Sequence, residues 1–407
     1  MNLSKVNQRK MFVLEFKVKA KTKQFMAIDE AIRASQFIRN KCVRYWMDNK
    51  NTNKYDLSKY SKVLAHDFKF ANELNSMARQ ASAERAWSSI SRFFDNCKKQ
   101  IPGKKGYPRF KKNTRSVEYK TSGWKLINPK TIKFTDKKNI GILKLVGTWD
   151  LAYFQEADIK RVRLVKRADG YYCQFVLSCD IKEEMQPSGK CIGLDVGLNY
   201  FYTDSEGNQI ENPRFLRKGE KGLKRLQRRL SKKKKGSNNR KKARQKLAKA
   251  HLKVSRQRKD FAVKLARCVV SSNDVVAYED LRIKNLVKNH CLAKSISDAA
   301  WYQFREWVEY FGQKFGKITI AVPPHYTSQE CSSCGEVVKK SLSTRTHICS
   351  CGCVMDRDWN AAINILKRAL STAGHTGSQA WGEFASTLME AILSEQVDSA
   401  NQESPSL

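Results

Sequence analysis

The feature that most constrains this chain is a pair of close-spaced cysteine motifs followed at once by an acidic run that opens a helical pattern. Two residues separate Cys331 from Cys334, and a further 14 residues separate Cys334 from the next pair, Cys349 and Cys351. Four thiolates from two such knuckles can close a tetrahedron around one zinc ion, and a loop with so few apolar residues has little else to order it. We therefore expect a structural zinc site in which Cys331, Cys334, Cys349 and Cys351 fill all four positions.

Two neighbouring residues leave the ligand set open. A CxC second knuckle is less usual than CxxC, so Cys353 is an alternative to Cys351 as the fourth ligand. His347 is a further candidate, although a surface histidine is the more common role. The remaining cysteines are scattered, which favours a reducing compartment with one metal site over a network of disulfides.

Three carboxylates that follow apolar runs or begin a helix are candidates for a second metal site. They are Asp195 in GLDVG, Glu279 in AYEDL and Asp358 in DRDWNAA. Cleavage of a phosphodiester by a two-metal mechanism needs acidic oxygens around two cations about 4 Å apart, and three acids at one sheet edge would supply them. Asp280 or Asp356 could be the better ligand, and Asp356 or Asp358 could instead cap the helix that follows.

The charge of the chain predicts a polyanionic partner. Its 407 residues include 78 Lys and Arg against 39 Asp and Glu, a formal net charge of +39, which is far beyond what solubility requires. No apolar run reaches the roughly 18 residues of a membrane span, and the first residues lack the apolar core of a secretory signal. We expect a soluble, cytoplasmic, nucleoid-associated protein; a basic ribosome-associated protein is the alternative.

The positive charge is concentrated between residues 217 and 259, where about half of the residues are Lys or Arg and Glu220 is the only carboxylate. Two leucine-rich stripes at helical spacing, with a break at Gly236-Ser237-Asn238-Asn239, predict a helical hairpin with an apolar seam. The seam residues are Leu223, Leu226 and Leu230 on one helix and Leu247, Val254 and Phe261 on the other. A phosphate backbone would offset the repulsion between like charges, so we expect this hairpin to bind nucleic acid. Its candidate contacts are Lys232, Lys233, Lys234, Lys235, Arg240, Lys241 and Lys242.

Hydrophobic periodicity predicts a β domain that is interrupted by helices. Residues 10 to 21 alternate as a strand does, and the spacing is helical from about 24 to 100. Short alternating segments then predict an antiparallel sheet or small barrel: SVEYKTS, TIKFTD, IGILKLV, IKRVRLVKR and YYCQFVLSCDI. Tyr171, Tyr172 and Phe175 in these strands fit a core better than a base-stacking surface.

The second half of the chain reads as a mixed α/β domain. KCIGLDVGLNYFYTD predicts a strand, a turn and a second strand, and SSNDVVAYEDL and KITIAV predict further strands. A helix is expected around Trp301 to Phe311, and another, WNAAINILKRAL, is expected to end near Leu370. The Ser- and Gln-rich tail from about 374 is expected to be weakly ordered.

Several of these segments together resemble the TnpB family, transposon-encoded RNA-guided DNA nucleases related to the type V CRISPR effectors. In chain order they are GLDVG, RRLSKKKKGSNNRKKARQKLAKAHLKVSRQRKDF, AYEDLRIKNL, SISDAAW, TSQECSSCG and CGCVMDRDWNAAINI. GYPRFKK at residues 106 to 112 and the SRFF that ends the preceding helix match as well. The similarity covers about residues 8 to 370, and the CxC knuckle departs from the family's usual CxxC.

The resemblance implies a multidomain α/β fold: a wedge β-barrel with a helical recognition insertion, and a RuvC-like ribonuclease H fold with an inserted zinc ribbon. The expected limits are 1–22 and 106–188 for the wedge barrel, 23–105 for the helical insertion, 189–325 and 356–373 for the RuvC-like domain with its basic hairpin at 217–266, 326–355 for the zinc ribbon, and 374–407 for a disordered tail.

The resemblance also implies an activity. Asp195, Glu279 and Asp358 would hold two catalytic Mg²⁺ ions, and the chain would act as a monomer on a guide RNA made from the transposon end. It would cut double-stranded target DNA next to a short flanking motif, for which Gln80, Tyr119 and Thr121 are the candidate contacts. Guide pairing would read the sequence, and the protein only the flanking motif. A nuclease-inactive guided repressor is the alternative; a transposase acting directly in strand transfer is disfavoured, because no tyrosine nucleophile stands in a His-x-His setting.

Overall fold

The computed structural model of the chain describes residues 11–148, 150–178, 183, 185–341 and 343–376, with side chains to residue 372. The chain divides into two compact units, Met1–Asp180 and Ile181–Leu407. No helix in the described ranges combines the length and the apolar character that a membrane crossing requires.

The first unit contains a seven-stranded sheet in which every strand pairing is antiparallel. The strand order is β2-β6-β7-β1-β5-β4-β3. The strands are β1 (Met11–Lys19), β2 (Ser116–Lys120), β3 (Trp124–Asn128), β4 (Thr131–Phe134), β5 (Ile142–Val146), β6 (Ile159–Arg167) and β7 (Gly170–Ser178). The six strands predicted from alternation are confirmed. β3 was not predicted, because its exposed Ile127 breaks the alternation that Trp124 and Leu126 begin.

Four helices lie between β1 and β2 in the chain and share the core of the sheet. They are α1 (Thr22–Asp48), α2 (Lys54–Asp67), α3 (Lys69–Asn72) and α4 (Ser76–Lys98). Ile28, Ile38 and Ile90 from the helices join Phe16 and Phe175 from the strands in one buried cluster. The helical region predicted between about 24 and 100 is therefore confirmed.

The core role predicted for the aromatic residues of β7 is also confirmed. Phe175 is fully buried, and Tyr172 is nearly so. Tyr171 stacks on Phe25 of α1, with ring centroids 4.7 Å apart. Phe175 and Tyr171 thus belong to the core cluster of the first unit.

The second unit is built on a five-stranded mixed sheet with the order β10-β9-β8-β11-β12. β8, β11 and β12 are parallel, whereas β9 and β10 run antiparallel to their neighbours. The strands are β8 (Cys191–Val196), β9 (Tyr200–Asp204), β10 (Gln209–Glu211), β11 (Val275–Glu279) and β12 (Ile318–Val322). All of these strands except the short β10 were predicted.

Helices cover both faces of this sheet, and a small β-ribbon precedes the last helix. The elements are α5 (Phe215–Ser231), α6 (Asn238–Ser272), α7 (Ile283–Leu286), α8 (His290–Ala299), α9 (Trp301–Phe315), β13 (Thr346–Ile348), β14 (Val354–Asp356) and α10 (Arg357–Thr376). Alternate residues of β11 show the layering: Val276 and Tyr278 pack in a cluster with α6 and α9, while Ala277 packs with Ile365 of α10. The sheet is thus the middle of three layers.

Two helix predictions need adjustment. Leu223, Leu247 and Val254 form the buried seam of the α5–α6 hairpin, as predicted, but Phe261 packs against Phe201 of the sheet. α10 continues to Thr376, beyond the predicted end near Leu370. The tail that was predicted to be weakly ordered lies almost wholly outside the described residues.

Candidate active site and zinc centre

The parallel pairing of β8 and β11 brings two of the predicted acids to the same edge of the sheet. Tyr278 of β11 is in register with Leu194 of β8, so the next residues along the two strands are Glu279 and Asp195. Both residues are half-buried. The apolar runs before them form the strands, and the carboxylates stand where those strands reach the sheet edge.

The third acid, Asp358, lies near the other two because α10 packs very closely against β8. A Cβ on Gly193 would lie 2.2 Å from the carbonyl oxygen of Ala362 and 2.9 Å from Cβ of Leu366, so only glycine allows this approach. Asp358 is in the first turn of α10. Its Oδ2 lies 3.9 Å from the position that a Cβ on Gly197 would occupy, two residues after Asp195. The three acids therefore lie together.

The structure also gives the two alternative ligands other roles. Oδ1 of Asp356 accepts hydrogen bonds from the backbone amides of Asp358 (2.8 Å) and Trp359 (3.1 Å), so Asp356 is the residue that caps α10. Asp280 is paired with Arg305, whose guanidinium donates to its carboxylate.

The pKa values show that the acids crowd one another. Burial, and after it the charges of Glu279 and Asp358, raise the pKa of Asp195 well above its ordinary value. Burial also raises the pKa of Glu279, although a hydrogen bond of 2.6 Å from Thr327 opposes the rise. The pKa of Asp358 is raised by burial and by the charge of Asp356. A bound cation would relieve this crowding.

Few cations offset the crowding. Nη1 of Arg345 lies 3.7 Å from Oδ2 of Asp358, and this arginine is exposed. Arg357 lowers the pKa of Asp195, and Arg368 lowers the pKa of Glu279, both by their charge. Neither Thr327 nor Arg345 was found from the sequence, since each is a single polar residue in a loop with no motif of its own.

The donor set fits hard divalent cations. The three carboxylates, whose pKa values are all raised, offer the hard oxygen donors that Mg²⁺ prefers. Among the described residues, the groups of three or more possible ligands whose atoms all lie within 4.8 Å of one another contain cysteines and no carboxylate. The binding of cations by the three acids therefore stays a prediction.

The cysteine cluster has the geometry of a tetrahedral thiolate site. The sulfur atoms of Cys331, Cys334, Cys349 and Cys351 all lie within 4.8 Å of one another. Two of the separations are 3.5 Å (Cys334 to Cys349) and 3.7 Å (Cys331 to Cys351). A tetrahedron with Zn–S bonds of about 2.3 Å has edges of about 3.8 Å, so the four residues fit zinc.

The two alternative ligands form a second group with Cys331. A ring nitrogen of His347 and the sulfur of Cys353 both lie within 4.8 Å of a ligand atom of Cys331. The expectation that His347 is a surface residue is wrong, because it is fully buried and its Nδ1 contacts Lys340. Only the four-cysteine group has enough ligands to fill a tetrahedron. No described cysteine forms a disulfide.

The segment that enters the cysteine cluster is attached to α10 by two asparagine side chains one turn apart. Asn364 donates to the carbonyl oxygens of Thr327 (2.9 Å) and Glu330 (2.7 Å). Asn360 donates to Glu330 (2.7 Å) and accepts from the amide of Ser332 (2.9 Å). Since Thr327 in turn binds Glu279, these contacts connect the zinc centre to the acidic site.

The predicted nucleic-acid contacts on the hairpin are exposed, with one exception. Lys232 to Lys235, Lys241 and Lys242 all face solvent. Arg240 instead donates to the carbonyl oxygens of Leu230 (2.9 Å) and Lys233 (2.8 Å), and so holds the turn between the helices.

A basic groove on α5 was not singled out from the sequence. It is an open depression of about 540 Å³ lined by Lys221, Gly222, Arg225, Arg228, Arg229 and Lys232. The acid of this region, Glu220, is neutralised: hydrogen bonds from Lys294 and Lys224 lower its pKa to about 2. The surface of α5 is therefore almost wholly cationic.

The three residues predicted to read a flanking motif have different environments. Thr121 is exposed and contacts the sulfur of Met77, one helical turn before the half-buried Gln80 on α4. Tyr119 is fully buried, with its hydroxyl donating to Asp136 (2.7 Å) and its ring against Phe134. Because Tyr119 is fully buried, its ring cannot contact a base of the nucleic acid in this arrangement.

Comparison with known proteins shows which families and folds this chain is similar to. Residues 174–290 match the family model described as "Probable transposase", and residues 301–365 match "Cas12f1-like, TNB domain". A Streptomyces pristinaespiralis protein named "Putative RNA-guided DNA endonuclease" is 32% identical over 309 residues, which are 75% of this chain and 74% of the relative. The Escherichia coli (strain K12) protein "Putative RNA-guided DNA endonuclease InsQ" is 28% identical over 288 residues, covering 66% and 69%.

A solved structure agrees at the level of the fold. The protein in the "Cryo-EM structure of the Cas12f1-sgRNA-target DNA complex" matches 84% of this chain and 82% of its own, with a TM-score of 0.53 and 15% sequence identity. The chain is thus an α/β protein with a Cas12f-like fold and a cysteine cluster able to hold zinc. Because 75% of this chain matches the Streptomyces relative at 32% identity, the chain belongs to the TnpB family of transposon-associated, RNA-guided DNA endonucleases.

Proposed function

We propose that this protein is itself an active RNA-guided DNA endonuclease that cuts double-stranded DNA beside a short flanking motif. The observation that carries the proposal is the convergence of Asp195, Glu279 and Asp358 at one edge of the β8–β11 sheet. A family member without nuclease activity has no need to keep three crowded carboxylates, which cost folding stability when no cation is bound.

The chemistry is hydrolysis of a phosphodiester at the acidic site. Two Mg²⁺ ions held by Asp195, Glu279 and Asp358 would activate the attacking water and stabilise the leaving oxygen. Thr327 orients Glu279 through its hydrogen bond, and Asp356 caps α10 and so leaves the carboxylate of Asp358 directed at the site. The displaced strand of the opened duplex is the proposed first substrate.

The cysteine cluster has a structural part in this proposal. One Zn²⁺ ion bound by Cys331, Cys334, Cys349 and Cys351 would leave no position for a substrate. Its role is to fix the segment from Thr327 to Ser332 against Asn360 and Asn364, and thereby to keep Thr327 on Glu279.

The basic hairpin is the proposed binding surface for the nucleic acids. The groove on α5 and the lysines from Lys232 to Lys235 present charge that a phosphate backbone would neutralise. Guide RNA pairing would supply sequence specificity, and Gln80 and Thr121 are the proposed contacts to the flanking motif. Tyr119 would support that surface only from inside the sheet.

The domain assignment follows from the same proposal. Residues 1–22 and 106–188 form the wedge domain around the helical insertion 23–105, and residues 189–325 and 356–373 form the RuvC-like nuclease domain. The zinc ribbon is residues 326–355. We expect one protein chain on each guide RNA.

Cleavage of a target plasmid by the protein with its guide RNA tests the proposal. Asp195→Asn, Glu279→Gln and Asp358→Asn each keep side-chain shape but remove a charge, so each should lower the cleavage rate at least 100-fold while target binding persists. Asp280→Asn is the matched control, since its carboxylate lies next to Glu279 in the chain but pairs with Arg305, and it should stay within about fivefold of wild type.

The outcomes separate the competing functions. Cutting by the Asp195→Asn protein at the wild-type rate would remove the carboxylate site from the mechanism. Tight guided binding without any cutting by the wild-type protein would instead support a guided repressor.

A further inference from the structure

The segment that connects α4 to β2 is unusual for its length. It runs from Lys99 to Arg115, 17 residues without regular helix or strand. Connections of this length within a compact unit are uncommon and are usually functional or disordered. This one is described throughout and makes specific contacts with α1, so a functional role is the better explanation.

All of the charged residues in this segment are basic. From Lys99 to Arg115 there are seven Lys and Arg residues and no Asp or Glu. Within the described part of the chain, none of these cations forms an ion pair with a carboxylate. An uncompensated cluster of this kind favours a polyanionic ligand over a protein surface of mixed charge.

Side chains of α1 hold the backbone of the segment in place. Asn40 donates to the carbonyl oxygen of Lys111 and accepts from its amide, both at 2.9 Å. Arg39, itself buried, donates to the carbonyl oxygen of Arg109 at 3.0 Å. Gln36 accepts from the amide of Thr114 at 2.7 Å. The backbone is therefore fixed at three points, while the side chains of residues 109 to 112 face solvent.

Two aromatic residues lie in the same segment as these exposed cations. Phe110 is 48% exposed between Arg109 and Lys111. Tyr107 is 53% exposed, yet its ring contacts Trp46 and Phe93, with centroids 5.6 and 5.3 Å apart. Rigid aromatic faces flanked by cations are how proteins bind unpaired nucleotides: bases stack on the rings, and phosphates meet the charges.

We propose that Arg109, Phe110, Lys111 and Lys112 bind an unpaired stretch of the guide RNA, with one base stacked on Phe110 and phosphates at the three cations. The inference rests on the proposed function, which supplies the RNA. An unpaired stretch is required because the bases of a duplex are already stacked on one another. RNA is favoured over target DNA because the guide is the resident partner and would cover the exposed rings before any target is bound.

The test is the affinity of the full chain for its guide RNA at about 0.15 M salt. Phe110→Ala and Phe110→Leu should both weaken binding by about tenfold or more, whereas Phe110→Trp should keep it, because only the aromatic ring stacks. Tyr153→Ala is the matched control: Tyr153 is 85% exposed in the same unit, within a stretch, residues 145–159, that contains no Lys or Arg, and its loss should have no effect.

Two further variants separate charge from rigidity. Lys111→Gln with Lys112→Gln should reduce the slope of log affinity against log salt by about 1.4, since single strands give about 0.7 per phosphate contact. Asn40→Ala removes no proposed contact but frees the backbone of Lys111, so it should also weaken RNA binding.

Each result supports or overturns one claim. Failure of the wild-type protein to bind the guide RNA would contradict the proposed function itself. If the wild type binds RNA and cuts DNA but Phe110→Ala does the same with equal RNA affinity, only the present inference is overturned. Loss of target DNA affinity at unchanged RNA affinity would overturn the assignment to RNA.

Discussion

Among the three acids of the site, Asp195 is the one whose pKa is raised by the charges of both others. Its pKa is raised first by burial and then by the charges of both Glu279 and Asp358. A carboxyl with a higher pKa in the folded state binds protons more tightly there than in the unfolded chain. Its contribution to the free energy of unfolding is therefore greatest at low pH and declines as the pH rises from about 4 towards the raised pKa.

We predict that Asp195→Asn makes the Mg²⁺-free protein less sensitive to pH. As the pH rises above about 4, the ordinary pKa of Asp, the wild type should lose more stability than the variant, by up to about 1.4 kcal/mol for each pH unit below the raised pKa. Urea unfolding of both proteins, with zinc retained and no Mg²⁺ added, measures the difference. Parallel pH profiles would contradict the raised pKa of Asp195.

The sequence indicated three acidic positions, but it could not show which of two nearby acids at a position belongs to the site. Glu279 and Asp280 are adjacent, and only the register of β11 against β8 decides which one lies beside Asp195. Likewise Asp356 caps α10 and Asp358 does not, which depends on where the helix begins. Thr327 was not predicted, because its role exists only after the segment folds onto α10.

Among the elements, α10 is the one that assembles the site. Its first turn carries Asp358, its side chains Asn360 and Asn364 hold the entry to the cysteine cluster, and its body lies directly on Gly193. The helix itself was predictable from its apolar spacing. Its close approach to β8 was not, because a glycine in a strand has several possible explanations.

Gly193→Ala should damage the site without touching any acid. The added methyl would clash with the backbone of Ala362, so we expect a loss of about 1–3 kcal/mol in stability and a fall in cleavage rate as Asp358 moves away. Gly222→Ala is the control for the loss of stability alone, since a Cβ there meets nothing within 4 Å and it lies inside helix α5. That control should be neutral or slightly stabilising. Equal melting temperatures and rates for Gly193→Ala and wild type would contradict the packing argument.

Removal of zinc should act on stability before it acts on chemistry. With the four thiolates unligated, the segment from Thr327 to Ser332 loses one of its attachments, while its hydrogen bonds to Asn360 and Asn364 on α10 remain. We expect chelation or Cys334→Ser to lower the melting temperature by several degrees. Thermal melts before and after chelation, with zinc added back as the control, measure this effect. An unchanged melting temperature would argue against a structural metal.

At the scale of the whole molecule, the sequence carries a net charge of +39, and the chain folds into two compact units. The charge was enough to predict a polyanionic partner, because no fold requires such an excess of Lys and Arg. The order of helical and alternating segments was enough to predict the α/β class. The sequence could not show that Tyr119 is buried or that Arg240 closes a turn, since both depend on tertiary contacts.

The central claim is that Asp195, Glu279 and Asp358 together bind a pair of divalent cations. Titration of the protein with its guide RNA by Mn²⁺, followed by electron paramagnetic resonance, counts the ions bound at this site. The account predicts two ions for the wild type and for Asp280→Asn, and a loss of at least one in Asp195→Asn. Equal Mn²⁺ binding by the wild type and Asp195→Asn would contradict it.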